Sequence, residues 1–197
     1  MVFGFKFIFY GEMEQINTIW EKKLEQRMSK QQITDLAMTL HHDECGISDV
    51  CRVMLYSGQP RSVYNAAWIL HHLAVEDKDI YLRPFYDRIV DMAVAPELSI
   101  RRGLVLSILA EMPTDENARM DLFDFCMIHM TDIKENDSSR SMMIKLAAEM
   151  CKSWPELSNE LLACLDPLQY ESKPSISAAR RKALKRLNVR VVRSATD

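Results

Sequence analysis

The sequence predicts an all-α fold built from about four or five stacked antiparallel helix pairs. Three observations carry that prediction. Only 5 Gly and 7 Pro stand among 197 residues, against 13 Met, too few turn formers for a strand-rich chain. Apolar residues recur at i, i+3 and i+4 along most of the sequence. A serine-led helical segment then repeats, at Ser62, Ser99, Ser139 and Ser177, roughly every 37 to 40 residues. The length suits one domain or two small ones and allows a real core. The apolar and charged fractions, 48% and 27%, are those of a soluble globular protein and argue against disorder.

Met1 to Tyr10 is almost wholly apolar but too short to span a bilayer. It has Lys6 inside the apolar run, no basic leader and no small-residue cleavage site. Met13 opens a new amphipathic pattern, so residues 1–12 are expected to be a non-native extension, with a short strand-like arm as the alternative. Ile16, Ile19, Trp20, Leu24 and Met28 make the buried stripe of a helix over 13–28. Ile33, Leu36, Ala37 and Leu40 do the same over 30–41, and Ile47, Val50, Cys51, Met54 and Leu55 over 46–56. Ser57-Gly58-Gln59-Pro60 stops that helix.

Ser62 is expected to N-cap the next one, which carries Ala66, Ala67, Ile69, Leu70 and Leu73. Ser99, Ser139 and Ser177 stand ahead of similar helices, and Ala110-Glu111-Met112 recurs as Ala148-Glu149-Met150. Second helices follow, with stripes at Phe85, Tyr86, Ile89 and Val90, at Leu122, Phe123, Cys126 and Met127, and at Leu161, Leu162, Leu165 and Leu168. Pro84 must fall in the first turn of its helix or kink it. Segment 29–57 reads as a shorter unit of the same kind. The whole is expected to be one helical domain over 13–188 with a basic tail over 189–197.

Each helix pair leaves one side uncovered, and stacking the pairs covers it. Small residues at Ala66, Ala67, Gly103, Ala147, Ala148, Ala178 and Ala179 would let first helices approach closely. In these respects residues 29–188 resemble the HEAT/armadillo class. The tetratricopeptide signature is absent. The resemblance implies a right-handed α-solenoid that binds other proteins as a scaffold, with an irregular helical bundle as the alternative architecture.

The five glycines are isolated, which excludes both G-x-G-x-x-G and a Walker loop. Five scattered cysteines point to a reduced, cytoplasmic protein rather than a disulfide scaffold. His41, His42, His71 and His72 are candidate metal ligands. Neighbouring positions on a helix point about 100° apart, however, and histidines near a helix C-terminus also serve as caps. Cys45 follows His41-His42 only locally, which is not how Cys–His catalysis is assembled. Asp121 with Asp124, and Glu76 with Asp79, read as solvated surface pairs. Glu111 and Glu149 hold the same place in successive repeats and would line one edge of a stack, or simply end exposed helices.

Residues 176–197 hold seven cations against Asp197, so an acidic body of -9 over residues 1–175 ends in a +6 block. Arg180, Arg181, Lys182, Lys185 and Arg186 would bind nucleic acid or another anionic surface, in line with Arg101, Arg102 and Arg140, which open earlier first helices. The alternative is a polar helix that closes the repeat array. Some HEAT-like proteins are DNA alkylation-repair glycosylases, with aromatic residues and an acid on a basic face. That resemblance would make Asp121 or Asp124 the acid beside Trp20, Trp68 and Trp154, but the acidic body opposes DNA. The expected function is therefore a non-enzymatic protein-interaction scaffold with an unidentified protein partner, no cofactor and no membrane insertion; a nucleic-acid-binding relative of the glycosylases is the alternative.

Overall fold

The computed structural model describes residues 16–98, 101–112 and 119–187. The extension over 1–12, the tail over 189–197, Ser99 and Pro113 lie outside them. The chain forms two compact units, Met1–Met112 and Pro113–Asp197. Among the described residues every regular element is helical, as the scarcity of turn formers predicts.

In the first unit α1 covers Thr18–Leu24, α2 Lys30–Thr39, α3 Glu44–Tyr56, α4 Pro60–His72, α5 Val75–Tyr81, α6 Tyr86–Val94 and α7 Arg102–Leu109. The Asn17 side chain caps α1. This helix is shorter than its apolar stripe, and Ile19, expected inside, is 76% exposed while Leu24 is sealed. Ser29 and Gln32 close a capping box on α2. Asp43 caps α3 by accepting from the Gly46 amide at 3.0 Å. A Cβ at Gly46 would crowd the Asp43 carboxylate and the Leu40 side chain, so a larger residue would have to push the capping carboxylate aside.

The first helices of successive pairs, α2, α4 and α7, pack in sequence, and α3 and α6 form the second layer beneath them. Ala66, Ala67, Ile69 and Leu70 on α4 are sealed between these layers, each large side chain contributing about 2 kcal/mol by leaving water. Ser62 is not an N-cap. Pro60 takes the first helical position, where a missing N–H costs nothing, and the buried Ser62 hydroxyl instead donates to the Glu21 carbonyl at 3.0 Å. Asn65 Nδ2 reaches the Leu24 and Gln26 carbonyls at 2.8 and 2.9 Å, satisfying the end of α1. Pro84 lies in a 3-10 turn, Arg83–Phe85, ahead of α6.

In the second unit α8 covers Met120–His129, α9 Asp137–Ser153, α10 Ser158–Leu165 and α11 Pro174–Arg186. Here α9 packs on α8, α10 and most extensively on α11. Pro174 opens α11 as Pro60 opens α4, so Ser177 also lies inside its helix and donates to the Glu171 carbonyl at 2.8 Å. Ser139 is likewise buried, inside α9 rather than ahead of it. The second-helix stripes hold in most positions: Ile89, Val90, Leu122, Phe123, Cys126, Leu161 and Leu165 are essentially inaccessible, while Tyr86, Met127 and Leu162 are half-buried.

Candidate functional site

Three of the arginines expected to form a basic line, Arg102, Arg140 and Arg180, have structural work inside their own units. Arg102 donates to the Ala93 carbonyl in the last turn of α6. Arg140, buried, donates from Nε to the Met130 carbonyl at the end of α8 at 3.0 Å and pairs with Glu171 at 3.0 Å. Arg180 donates from Nε to the Leu165 carbonyl at the end of α10 at 2.8 Å. The helices α7, α9 and α11 thus each send a guanidinium back to the orphan carbonyls of the helix before it. Arg101 and Arg181 are exposed.

Lys182, Lys185 and Arg186 have a different setting. With Lys145 they line a groove of about 700 Å³ between α9 and α11. Ala148, Ala178, Ala179 and Ala183 form its methyl-rich floor, and Ser141, Met142 and Ser175 complete it. The two helices run parallel, since Lys173 faces Asp137 at 3.7 Å near their starts and Arg186 pairs with Glu149 near their ends. Glu149 also takes Lys152. Among the described residues no carboxylate pairs with Lys145, Lys182 or Lys185. Lys145 escaped the sequence reading. The repeat register is the signal that finds it, because Lys145 and Lys182 are one repeat apart, as are Glu149 and Arg186.

A second groove, of about 670 Å³ between α3 and α6, carries both signs of charge through Arg88, Asp91 and Glu97. Exposed apolar side chains occur on both units, among them Met38 and Ile80 on the first and Ile128 and Ile133 on the second.

The histidines gather around α5, a helix the apolar pattern could not show because its buried residues are Asp77 and Lys78. The neighbouring Glu76 is exposed and Asp79 pairs with Arg83 at 2.5 Å. His41 Nδ1 lies 2.8 Å from Asp77 Oδ2, and His42 Nδ1 3.4 Å from Oδ1. The His42 amide donates to that same Oδ1 at 3.2 Å. Lys78, fully buried, donates to the His71 carbonyl at 2.7 Å and to Glu111 at 2.6 Å. The Ser107 hydroxyl donates to the Leu104 carbonyl at 2.6 Å, so the His71 Nδ1–H, 2.8 Å away, donates to the Ser107 oxygen. The His72 ring sits tilted beside those of Trp68 and His71, at 6.4 and 4.9 Å between centres. Burial, then the charges of Lys30 and Lys78, hold its imidazole below the ordinary value.

His41–Asp77 and His71–Ser107 both span 36 residues, and both histidines follow a leucine in a Leu-His-His run, at Leu40 and Leu70. The polar bonds between helix pairs therefore keep the register of the repeat. The structure brings His41 and His42 together on Asp77, while His71 and His72 have partners of their own.

The remaining candidates have ordinary settings. The Arg119 guanidinium bonded to Asp121 holds that exposed carboxyl below its usual range, and Asp124 is exposed. Lys23 covers Trp20, its Nζ 4.4 Å from the ring centre. All five cysteines are free. Burial drives Cys51 and Cys126 far above the ordinary thiol value and raises Cys151 and Cys164, which disfavours the thiolate these residues would need as nucleophiles. Cys45 is exposed on the first turn of α3. No helix among the described residues is long and apolar enough to cross a membrane.

Neither the curated proteins nor the solved structures hold a match to the chain. Residues 20–187, from within α1 to the residue that closes α11, match the HEAT repeat domain, and with that span covering most of the sequence the chain belongs to the HEAT repeat family.

Proposed function

We propose that this HEAT repeat protein is a non-enzymatic interaction module of a reducing, cytoplasmic compartment, and that it holds an acidic, amphipathic segment of another protein in the groove between α9 and α11. Stacked helix pairs commonly present extended surfaces to other chains. The observation that carries the finer reading is the groove itself, where Lys145, Lys182 and Lys185 border an alanine floor without a carboxylate among them. Such a surface suits a partner that brings carboxylates to the rim and small apolar side chains to the floor. A nucleic-acid backbone offers phosphates but nothing to cover the methyl groups. It would also run past Asp137, Glu149 and Glu171, which bound the basic stretch. The five free cysteines support the compartment.

Fluorescence anisotropy with a labelled acidic amphipathic peptide of about 15 residues tests the reading. Binding is expected in the micromolar range at about 50 mM salt and should weaken as salt rises. The Lys145→Glu, Lys182→Glu double variant should bind at least about tenfold more weakly. Tighter binding of duplex DNA than of the peptide, lost in the same variant, would support the nucleic-acid reading instead.

A further inference from the structure

We propose that His41, His42 and Asp77 form a binding site for a first-row divalent cation of the zinc class, at the junction of α2 and α5. The site is independent of the groove in the second unit. Its three donor atoms lie within 4.8 Å of one another. In a tetrahedral centre with bonds of about 2.0 to 2.1 Å, adjacent donors stand about 3.3 Å apart. The His42 Nδ1 to Asp77 Oδ1 separation of 3.4 Å already has that value. His41 Nδ1, now 2.8 Å from Oδ2, would turn to stand at the same separation from Oδ1, its imidazole proton passing through solvent from Nδ1 to Nε2 as the metal enters.

Charge supplies the second argument. The Asp77 side chain is 1% exposed, and a carboxylate removed from water needs a compensating positive charge. Lys78, the adjacent cation, is occupied by the His71 carbonyl and Glu111. Among the described residues no lysine or arginine pairs with Asp77, and a divalent cation would supply that charge while taking one nitrogen lone pair from each ring.

Backbone conformation supplies the third. His42 has φ of 62°, in the left-handed region that costs a non-glycine residue about 1 kcal/mol. That turn directs both its amide and its ring to Asp77 and sets the two imidazoles with ring centres 3.7 Å apart. The histidine side chains are 47% and 64% exposed, so an ion can enter from solvent and keep water in its fourth position. Two imidazoles and one carboxylate suit zinc, cobalt, nickel or copper rather than calcium or magnesium. The second Leu-His-His run is an internal control, because its partner at the same separation is Ser107, which brings no charge.

Isothermal titration of the untagged full chain with zinc chloride at about pH 7.5, where imidazole is neutral, is the test. One ion per chain is expected, with a Kd of about 10 μM or tighter. His42→Ala and His41→Gln should each weaken it at least about tenfold, with circular dichroism showing the helices intact, while Cys45→Ser and His71→Gln leave it unchanged. No saturable binding by the wild-type chain overturns the proposal. So does binding that survives both histidine variants or is lost in Cys45→Ser.

Discussion

At the junction around α5 the Lys78 ammonium is sealed from solvent and bonded to the His71 carbonyl and Glu111. In the groove between α9 and α11, Lys145, Lys182 and Lys185 border open space, and none of them pairs with a carboxylate among the described residues. Identical side chains therefore hold one unit together and leave the other with an unmatched field. The arginines make the same point within a single helix. Arg180 on α11 caps α10 through the Leu165 carbonyl, and Lys182, two residues on, faces the groove. What decides the role of a cation here is whether its reach ends at an orphan carbonyl of the preceding helix.

Breaking the sealed side should have the largest effect. Lys78→Ala strands Glu111 and the His71 carbonyl, and denaturant unfolding should show a loss of about 4 kcal/mol. Lys78→Met, which restores volume without charge, should recover much of it. A loss well under about 1 kcal/mol for the alanine variant would mean that the pair is not holding the junction. Arg140→Ala should follow at about 3 kcal/mol, since it leaves the Met130 carbonyl without its buried donor.

On the open side the order reverses. The Lys145→Glu, Lys182→Glu variant should keep its unfolding free energy to within about 0.5 kcal/mol while losing the acidic peptide. A large stability loss would show that these lysines are structural after all.

The smallest effect concerns pH. His72 is held below the ordinary 6.5 by burial first and by Lys30 and Lys78. Its neutral form is favoured in the folded state, so the stability it contributes is present in full above that value and is lost as the pH falls through the folded value. His72→Gln should flatten the acid limb of the stability curve relative to the wild-type chain. An unchanged limb would remove His72 from the account.

The helices and their pairing were legible because apolar burial imposes a 3.6-residue period, and the sealed stripe of Ala66, Ile69 and Leu70 is that period made solid. The serine positions misled, since Pro60 and Pro174 start their helices upstream and turn Ser62 and Ser177 into internal donors. α5 was invisible because its buried residues are ionic, and periodicity counts only apolar ones. The histidine pair was legible as chemistry but its third member was not. Asp77 is 36 residues away, and only the register of the repeat brings it to His41. That register also points to Lys145 as the counterpart of Lys182, a relation that charge counting confined to the C-terminal block could not reveal.

The central claim is that the groove of the second unit is where a partner docks. Amide chemical-shift mapping on the full chain, titrated with the acidic amphipathic peptide, tests it most directly. A partner docked there shifts the amides of Ser141, Lys145, Ala148, Ala178, Lys182 and Lys185 most. Shifts gathered anywhere else, or none at saturating peptide, would contradict it.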